Sequence, residues 1–362
     1  MNDFESIVIK HLPLIDVRSP NEYKKGAFPN SINLPLIDDT ERQLIGICYK
    51  ENGPEAALEL GYTLVSGAKR DSRIKTWINQ INQFPNSIIY CFRGGMRSKI
   101  TQEWIKEKSF IEIPYIDGGY KAFRSFLLSK LRPSTIKSEV VLLGGYTGGG
   151  KTKLLNHFNN FIDLEKIANH RGSSFGEHLK PQPSQINFEN KLSHELILHQ
   201  NKLYQYLLLE DEGRHIGKNY LPKPLSNFFN RGYLVLLNTS LEERLINTLE
   251  EYVISSQIEY KSHYSEELGL KKWYEYITSS ITKIHKRLGN ERYHQILKYL
   301  EIAFNKQLNA YDFTDHIAWI KVLLQEYYDP MYEFQIKNTN KKIVFQGNYQ
   351  AVYDYINNNY YK

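Results

Sequence analysis

The stretch Val140-Val141-Leu142-Leu143-Gly144-Gly145-Tyr146-Thr147-Gly148-Gly149-Gly150-Lys151-Thr152-Lys153-Leu154-Leu155 decides how the C-terminal part of the chain is read. Its β-branched and aliphatic opening predicts a buried strand. Gly145, four residues, then Gly150-Lys151-Thr152 follow, which is the spacing of a phosphate-binding P-loop between a strand and a helix. Glycines let successive N–H groups turn inward around a phosphate, because no Cβ blocks the required dihedrals. Gly145, Thr147, Gly148, Gly149 and Gly150 are therefore expected to hold a diphosphate. Lys151 is expected to reach its terminal oxygens, and Thr152 can offer a hydroxyl to magnesium. A helix beginning near Lys151 would add its positive N-terminal end.

Working outward, 362 residues predict two or three domains with ample core. Hydrophobic residues at 41% and charged residues at 24% are ordinary for a water-soluble chain. The two cysteines, Cys48 and Cys91, cannot make a disulfide framework, and no Cys/His cluster has zinc spacing. No run is apolar enough to span a membrane. Met1-Asn2-Asp3-Phe4-Glu5 carries neither the basic nor the apolar region of a signal peptide, so a cytoplasmic, reducing location is expected. The net charge of +6 suits a phosphate-rich partner without establishing one.

Behind the P-loop, the segment from Asp163 to Gly176 contains His170, Arg171 and Ser173, a candidate anion or substrate clamp, and Gln182 follows closely. Tyr204 to Leu209 is an apolar run ending in Glu210-Asp211-Glu212-Gly213-Arg214. An acidic strand end beside a P-loop can hold magnesium or position a water, and the residue pattern leaves open which of Glu210, Asp211 and Glu212 does so. Arg214 is a further clamp candidate. Tyr233 to Asn238 predicts another buried strand. Leu241 to Tyr252 predicts a helix with Glu242, Glu243 and Arg244 exposed. Residues 271–324 are expected to be mostly helical. They carry Lys271, Lys272, Lys283, His285, Lys286 and Arg287, a basic face that is solvated surface or an RNA contact. Residues 327–362 are expected to end in a strand or hairpin packed on the second domain.

The first 130 residues alternate short strands and helices. Arg70 to Asn82 has helical spacing, with Ile74, Trp77, Ile78 and Ile81 on one face. Ser87-Ile88-Ile89-Tyr90-Cys91-Phe92-Arg93-Gly94-Gly95-Met96-Arg97-Ser98-Lys99 sends a buried strand directly into a cysteine. The thiol is expected over a loop of inward N–H groups at a helix N-terminus, with Arg93 and Arg97 adding positive charge. Each factor favours the thiolate. Cys48 lies in an insertion without a glycine cradle, where a small core-filling residue is expected rather than a second relay thiol. Residues 133–138, polar and carrying Pro133, are the expected linker.

Residues 1–132 resemble a rhodanese domain. The resemblance rests on Ile15-Asp16-Val17-Arg18-Ser19-Pro20-Asn21-Glu22-Tyr23, Gly26-Ala27-Phe28-Pro29, Ile32-Asn33-Leu34-Pro35, Cys91 to Ser98 and Asp117-Gly118-Gly119-Tyr120. It implies a central parallel sheet, structural roles for Asp16 and Arg18, and sulfur or selenium carried on Cys91. Arg93, Gly94, Gly95, Met96 and Arg97 would form the loop around that anion.

Residues 139–362 would then be a P-loop NTPase-like α/β domain with a helical C-terminal part and a final strand segment. The whole chain resembles the tRNA 2-selenouridine synthase family through these loops and through Leu164-Glu165, Ala168 to Ser173, Gln182-Pro183, Glu210-Asp211-Glu212 and Tyr327-Tyr328-Asp329-Pro330-Met331-Tyr332. The resemblance implies a transferase acting on the anticodon loop of tRNA. Geranyl diphosphate would alkylate the sulfur of wobble 2-thiouridine at the P-loop. Selenium from selenophosphate would then replace S-geranyl through a selenium-bearing Cys91, with a selenophosphate-producing enzyme as a partner. Two other classes stay open on the residues alone: a nucleotide-dependent sulfurtransferase or kinase acting on RNA, and a non-catalytic RNA-binding scaffold.

Overall fold

Short apolar runs become short parallel strands in the N-terminal unit. β1 (Leu14–Asp16), β2 (Ser31–Asn33) and β3 (Ile88–Tyr90) pair in the order β2-β1-β3, with Asp16 opposite Asn33 and Tyr90. The computed structural model describes residues 3–361; Met1 and Asn2 of the N-terminal reading, and Lys362, lie outside them. The helix expected over 70–82 runs Gly67–Gln83 and buries Ile74, Trp77 and Ile81, as its spacing requires. The insertion is the helix Asp39–Leu64, broken where Gly53 takes a φ of 86° ahead of Pro54. Cys48 sits on this helix half-buried, with the Asn52 amide 3.8 Å from its sulfur, so it does not fill the core as expected. Asp16 and Arg18 form a buried ion pair at 2.6 Å. The Arg18 guanidinium also donates to the Gly26 carbonyl and lies 3.9 Å from the centre of the Tyr120 ring. That is the structural role the resemblance implied.

The chain divides into two compact units, and the division is not linear. Residues up to Ile136 form one unit together with Ser184–Leu203; Lys137–Pro183 and the chain from Tyr204 onward form the other. The sequence reading kept all of 139–362 in one domain. The helix Gln185–Asn201 departs from it and belongs to the first unit, where Ile197 joins the buried cluster of Val8, Phe28, Phe123 and Leu127. Its polar side chains fix the docking. Asn190 donates to the Ala27 carbonyl at 2.7 Å, Asn187 accepts from the Ala27 amide at 2.8 Å, and Arg124 donates to Asn190.

In the second unit four parallel strands lie in the order β5-β4-β8-β9. They are β4 (Glu139–Gly145), β5 (Tyr206–Glu210), β8 (Tyr233–Leu237) and β9 (Ile343–Gly347). Between β5 and β8, β6 (His215–Ile216) and β7 (Asn219–Tyr220) make a small antiparallel hairpin. Near-continuous apolar runs suit strands covered on both faces. The C-terminal segment is not a hairpin. β9 is a parallel edge strand, and the helix Tyr349–Tyr360 then returns Val352, Ile356 and Tyr360 to the core. The helical part comprises Glu266–Leu288, Asn290–Ala310 and His316–Leu323, packed around Trp273, Ile277, Ile281 and Trp319. Along the basic face, Lys272 and Lys283 pair with Glu275 and Glu177. No helix among the described residues is long and apolar enough to cross a membrane.

Candidate active sites

The P-loop follows the carboxyl end of β4, where open parallel sheets place ligands. The register does the rest. Leu143 of β4 pairs with Glu210 at the end of β5, so the acidic strand end comes to rest beside the loop. Thr152 donates its hydroxyl to Glu210 at 2.5 Å. The Lys151 ammonium lies over the loop, 3.1 Å from the Gly145 carbonyl. The helix Lys151–Leu155 has only five residues, so its dipole adds less than the sequence suggested; the loop amides and Lys151 carry the positive field.

A second helix, Leu241–Leu249, holds the loop in shape from outside. Arg244, Asn247 and Thr248 share one face by helical spacing. Arg244 donates to the Thr147 carbonyl at 3.0 Å and Asn247 to the Gly148 carbonyl at 2.9 Å. Gly148, at φ 75°, is obligatory here: a Cβ would stand 2.4 Å from the Thr248 hydroxyl and 2.8 Å from the Arg244 carbonyl. Arg244 is itself gripped by Asp329, at 2.5 and 3.1 Å, and its guanidinium lies 4.7 Å from the centre of the Tyr146 ring. A widened π-helical segment, Glu250–Ser255, continues this helix and brings Glu251 to the cavity.

The resulting cavity measures about 820 Å³. Its walls include the P-loop, the segment from Asn169 to Ser173, and Tyr252, Tyr328, Met331 and Tyr332. Glu165, Glu210 and Glu212 converge in it, each offering an oxygen within 4.8 Å of the others. Burial and then mutual repulsion hold Glu165 and Glu212 above the ordinary carboxylate range; burial does the same for Glu210 against the pull of Lys151 and Thr152. A cluster of hard oxygen donors beside a P-loop threonine fits magnesium.

In the first unit β3 runs into Cys91, which is buried at 3% exposure with its sulfur 3.9 Å from the Gly95 carbonyl. The helix Met96–Ser109 starts at once, capped by Gly95. The amides of residues 92–95 donate to no backbone acceptor among the described residues. The loop is shaped by Asp117-Gly118-Gly119-Tyr120. The Tyr120 amide donates to the Cys91 carbonyl at 2.8 Å, and Lys121 to that of Phe92 at 3.0 Å. A Cβ on Gly119 would lie 2.4 Å from both the Cys91 oxygen and the Gly94 nitrogen. Arg97 is committed to Glu22, at 2.5 and 3.1 Å. Burial works against ionisation of Glu22, but Arg97 holds its carboxyl below the usual range. Arg93 is exposed beside Phe92, and it is the loop arginine for which no carboxylate partner is recorded among the described residues.

Both parts of the chain match known families. Residues 2–126 match the rhodanese-like domain model, and residues 138–362 match that of the tRNA 2-selenouridine synthase AAA domain. The chain belongs to the tRNA 2-selenouridine synthase family. Proteins bearing that name from Shewanella frigidimarina and Hydrogenovibrio crunogenus are 43% and 46% identical to it, each over 98% of this chain and over 97% and 98% of their own. The one from Sulfurovum sp. is 45% identical over 97% of this chain and 96% of its own. Among solved structures, the N-terminal domain of a putative ATP/GTP binding protein from Clostridium difficile 630 is 31% identical over 32% of this chain and 89% of its own. Its TM-score to this chain is 0.29.

Within the family's frame, the site residues expected from the sequence separate into those that face a cavity and those that hold loops. His170, Arg171, Ser173, Glu210, Asp211 and Glu212 all line the P-loop cavity. Asp211 is paired with Lys341, which leaves Glu210, bonded to the Thr152 hydroxyl, and Glu212 as the acidic groups of this run without an ion pair among the described residues. Burial lowers the pKa of His170, whose Nδ1 accepts from the Gly172 amide. Arg171 faces Glu251 at 3.4 Å. Gln182 does not line the cavity. Its amide donates to the Ala168 and Ile216 carbonyls and its oxygen accepts from Lys218, pinning loops together. Arg214 is exposed, donates to the Leu221 carbonyl and stacks on Tyr220. Arg244, expected on the surface, is buried at 4% exposure because its polar face covers the P-loop. Glu165, Glu251 and Asn247 were missed as site residues. Only the helical spacing from Arg244 to Glu251 carried a signal of a polar face turned inward.

Proposed function

We propose that this chain converts 2-thiouridine at the tRNA wobble position to 2-selenouridine in two steps, alkylation at the P-loop and selenium entry at Cys91. The observation that carries the reading is the pairing, in one chain, of a P-loop cavity facing three carboxylates with a buried thiol in a glycine-cradled loop. In the first step the thiouridine sulfur attacks the first carbon of geranyl diphosphate and the carbon–oxygen bond breaks. The loop amides and Lys151 meet the charge developing on the departing diphosphate. Thr152, Glu165, Glu210 and Glu212 are the residues that would hold magnesium, which supplies charge neutralisation to a diphosphate when bound. Tyr252, Tyr328, Met331 and Tyr332 offer the hydrocarbon an apolar wall.

Electron count constrains the second step. Selenium in selenophosphate is already at the selenide level, so joining it to the Cys91 sulfur would need a two-electron oxidant that these co-substrates do not supply. The balanced course is substitution. The Cys91 sulfur attacks C2 of the alkylated base and geranylthiolate leaves. The selenium of selenophosphate then displaces Cys91, and hydrolysis of the phosphorus–selenium bond releases phosphate. Exposed Arg93 and the loop amides suit the selenophosphate oxyanions. The base must be splayed from the anticodon loop to reach either site, and a selenophosphate-producing enzyme would supply the second step.

Nucleoside mass spectrometry of thiolated tRNA incubated with geranyl diphosphate and selenophosphate tests this. Cys91→Ala should accumulate S-geranyl-2-thiouridine, and Lys151→Ala should lose geranylation. Full selenouridine formation by Cys91→Ala would sink the assignment. RNA-stimulated nucleotide hydrolysis lost in Lys151→Ala, with no geranylation by the parent protein, would favour a nucleotide-dependent enzyme instead.

A further inference from the structure

An apolar pocket beside the cysteine loop has no part in the steps above. It measures about 390 Å³ and is lined by Leu36, Ile45, Ala57, Leu58, Tyr62 and Trp104, together with the start of the helix Met96–Ser109. Its charged members are Glu55 and Arg97, and Arg97 is already engaged by Glu22.

The pocket adjoins the helix that starts at the thiol loop. Met96, Arg97 and Ile100 lie within the first turns after Gly95, whose carbonyl is 3.9 Å from the Cys91 sulfur. Cys91 itself belongs to the hydrophobic cluster containing Leu36, Ile100 and Trp104. The rim is apolar but open: Met96 is 54% exposed, Tyr49 59% and Tyr62 43%. Large apolar side chains left open around a concavity mark a binding site more often than chance exposure.

We propose that this pocket binds the ten-carbon geranyl chain of the alkylated wobble base during selenium entry. This rests on the function proposed above. After the first step the sulfur bonded to the reacting carbon carries a hydrocarbon chain, and that chain must be placed when C2 approaches Cys91. Cys91 is not among the residues that line the P-loop cavity, whereas Leu36, Ile100 and Trp104 of the apolar pocket share its hydrophobic cluster. Seating the chain there would also set the order of the steps, because unalkylated thiouridine has nothing to anchor it. An apolar pocket discriminates by chain length, each methylene adding a modest factor, so a methyl group should be held poorly.

The test uses the full-length protein and two anticodon stem-loop RNAs, one bearing S-geranyl-2-thiouridine and one S-methyl-2-thiouridine, with affinity read by fluorescence anisotropy. The parent protein should bind the geranyl RNA at least about tenfold tighter. Ala57→Phe fills the pocket, and Leu58→Asp places a charge at its partly exposed wall, where folding tolerates it. Both should bring the ratio toward one while melting near the parent temperature. Retention of the parent ratio by either folded variant would overturn the proposal. So would equal weakening of both RNAs, which would make the surface a general RNA contact. The underlying function fails differently: a parent protein that prefers the geranyl RNA yet never converts it with selenophosphate keeps the pocket and loses the two-step reaction.

Discussion

Arg244→Ala should loosen the P-loop without touching any residue of the loop. The Arg244 side chain is 5% exposed and its partner Asp329 is 17% exposed. Breaking a buried pair by removing one member costs about 3–5 kcal/mol. The partial exposure of Asp329 lowers that share to roughly 2 kcal/mol by solvent screening. The unmet Thr147 carbonyl adds about 1 kcal/mol, giving about 3 kcal/mol in all. Local opening of residues 145–150 should therefore become about a hundredfold easier, since about 1.4 kcal/mol is tenfold. Hydrogen–deuterium exchange of peptides covering 140–155 reads this directly, and the KM for geranyl diphosphate should rise with it. Arg244→Lys keeps the charge but loses the fork, so it should fall between. In a double-mutant cycle with Asp329→Ala the two changes should be non-additive by about 1–3 kcal/mol. Parent-like exchange across the loop in Arg244→Ala, with unchanged geranyl transfer, would refute the claim that this pair sets the loop's shape.

Three further outcomes follow from other parts of the chain. Magnesium should raise the melting temperature of the parent protein, and Glu210→Gln should blunt that shift while lowering geranyl transfer; a magnesium shift that persists in full in Glu210→Gln would remove Glu210 from the cation site. Gly119→Ala should abolish selenium entry and spare geranylation, measured by nucleoside mass spectrometry, because its Cβ would collide with the Cys91 carbonyl at 2.4 Å. Acid should weaken the helical part through His316. Its Nδ1 accepts from the Trp319 indole at 2.9 Å and its Nε2 faces Gln307, so burial and these bonds hold it neutral, with a pKa lowered to about 4 despite the raising influence of Asp315. The folded pKa lies below the unfolded one, so this stability is whole above pH ~6.5 and is lost as pH falls towards ~4, by about 3 kcal/mol. Urea unfolding at pH 7 and pH 4.5 should show the loss, and His316→Gln should flatten it.

Much of this was legible because strands, glycine loops and helical stripes are local patterns. Val140 to Leu143 and Tyr233 to Leu237 announced buried strands, and the Ile74-Trp77-Ile81 spacing announced a buried face. Both functional loops were visible for the same reason, since a turn of backbone around an anion needs glycines at fixed short spacing. Three things were not legible. The helix Gln185–Asn201 looked like any helix of its own domain, because an apolar stripe states that a face is buried and not which partner buries it. Arg244 looked like surface, because a polar face facing a carbonyl-rich loop has the composition of one facing water. The acidic run after β5 hid its division of labour, because Lys341, which takes Asp211 out of play, lies 130 residues further on.

The two candidate loops share a deeper arrangement. Each leaves the carboxyl end of a parallel strand, and each is held in shape by a segment distant from it in the chain. Thr147 and Gly148 are gripped by Arg244 and Asn247, 97 and 99 residues away. Cys91 and Phe92 are gripped by the amides of Tyr120 and Lys121. In both cases the distant segment bonds to loop carbonyls, which turns the opposite, N–H side of the peptides away from that segment. That is how a chain makes an anion site from neutral backbone: tie down the acceptors, and donors are left to the ligand, except the Gly149 amide, which closes the turn onto the Tyr146 carbonyl at 3.0 Å. On this reasoning the glycines are necessary but passive, and the locking residues decide whether the loop is preorganised. A variant that keeps every glycine and loses a lock should therefore bind its anion more weakly while leaving the chemistry of the bound state intact, raising KM before it lowers kcat.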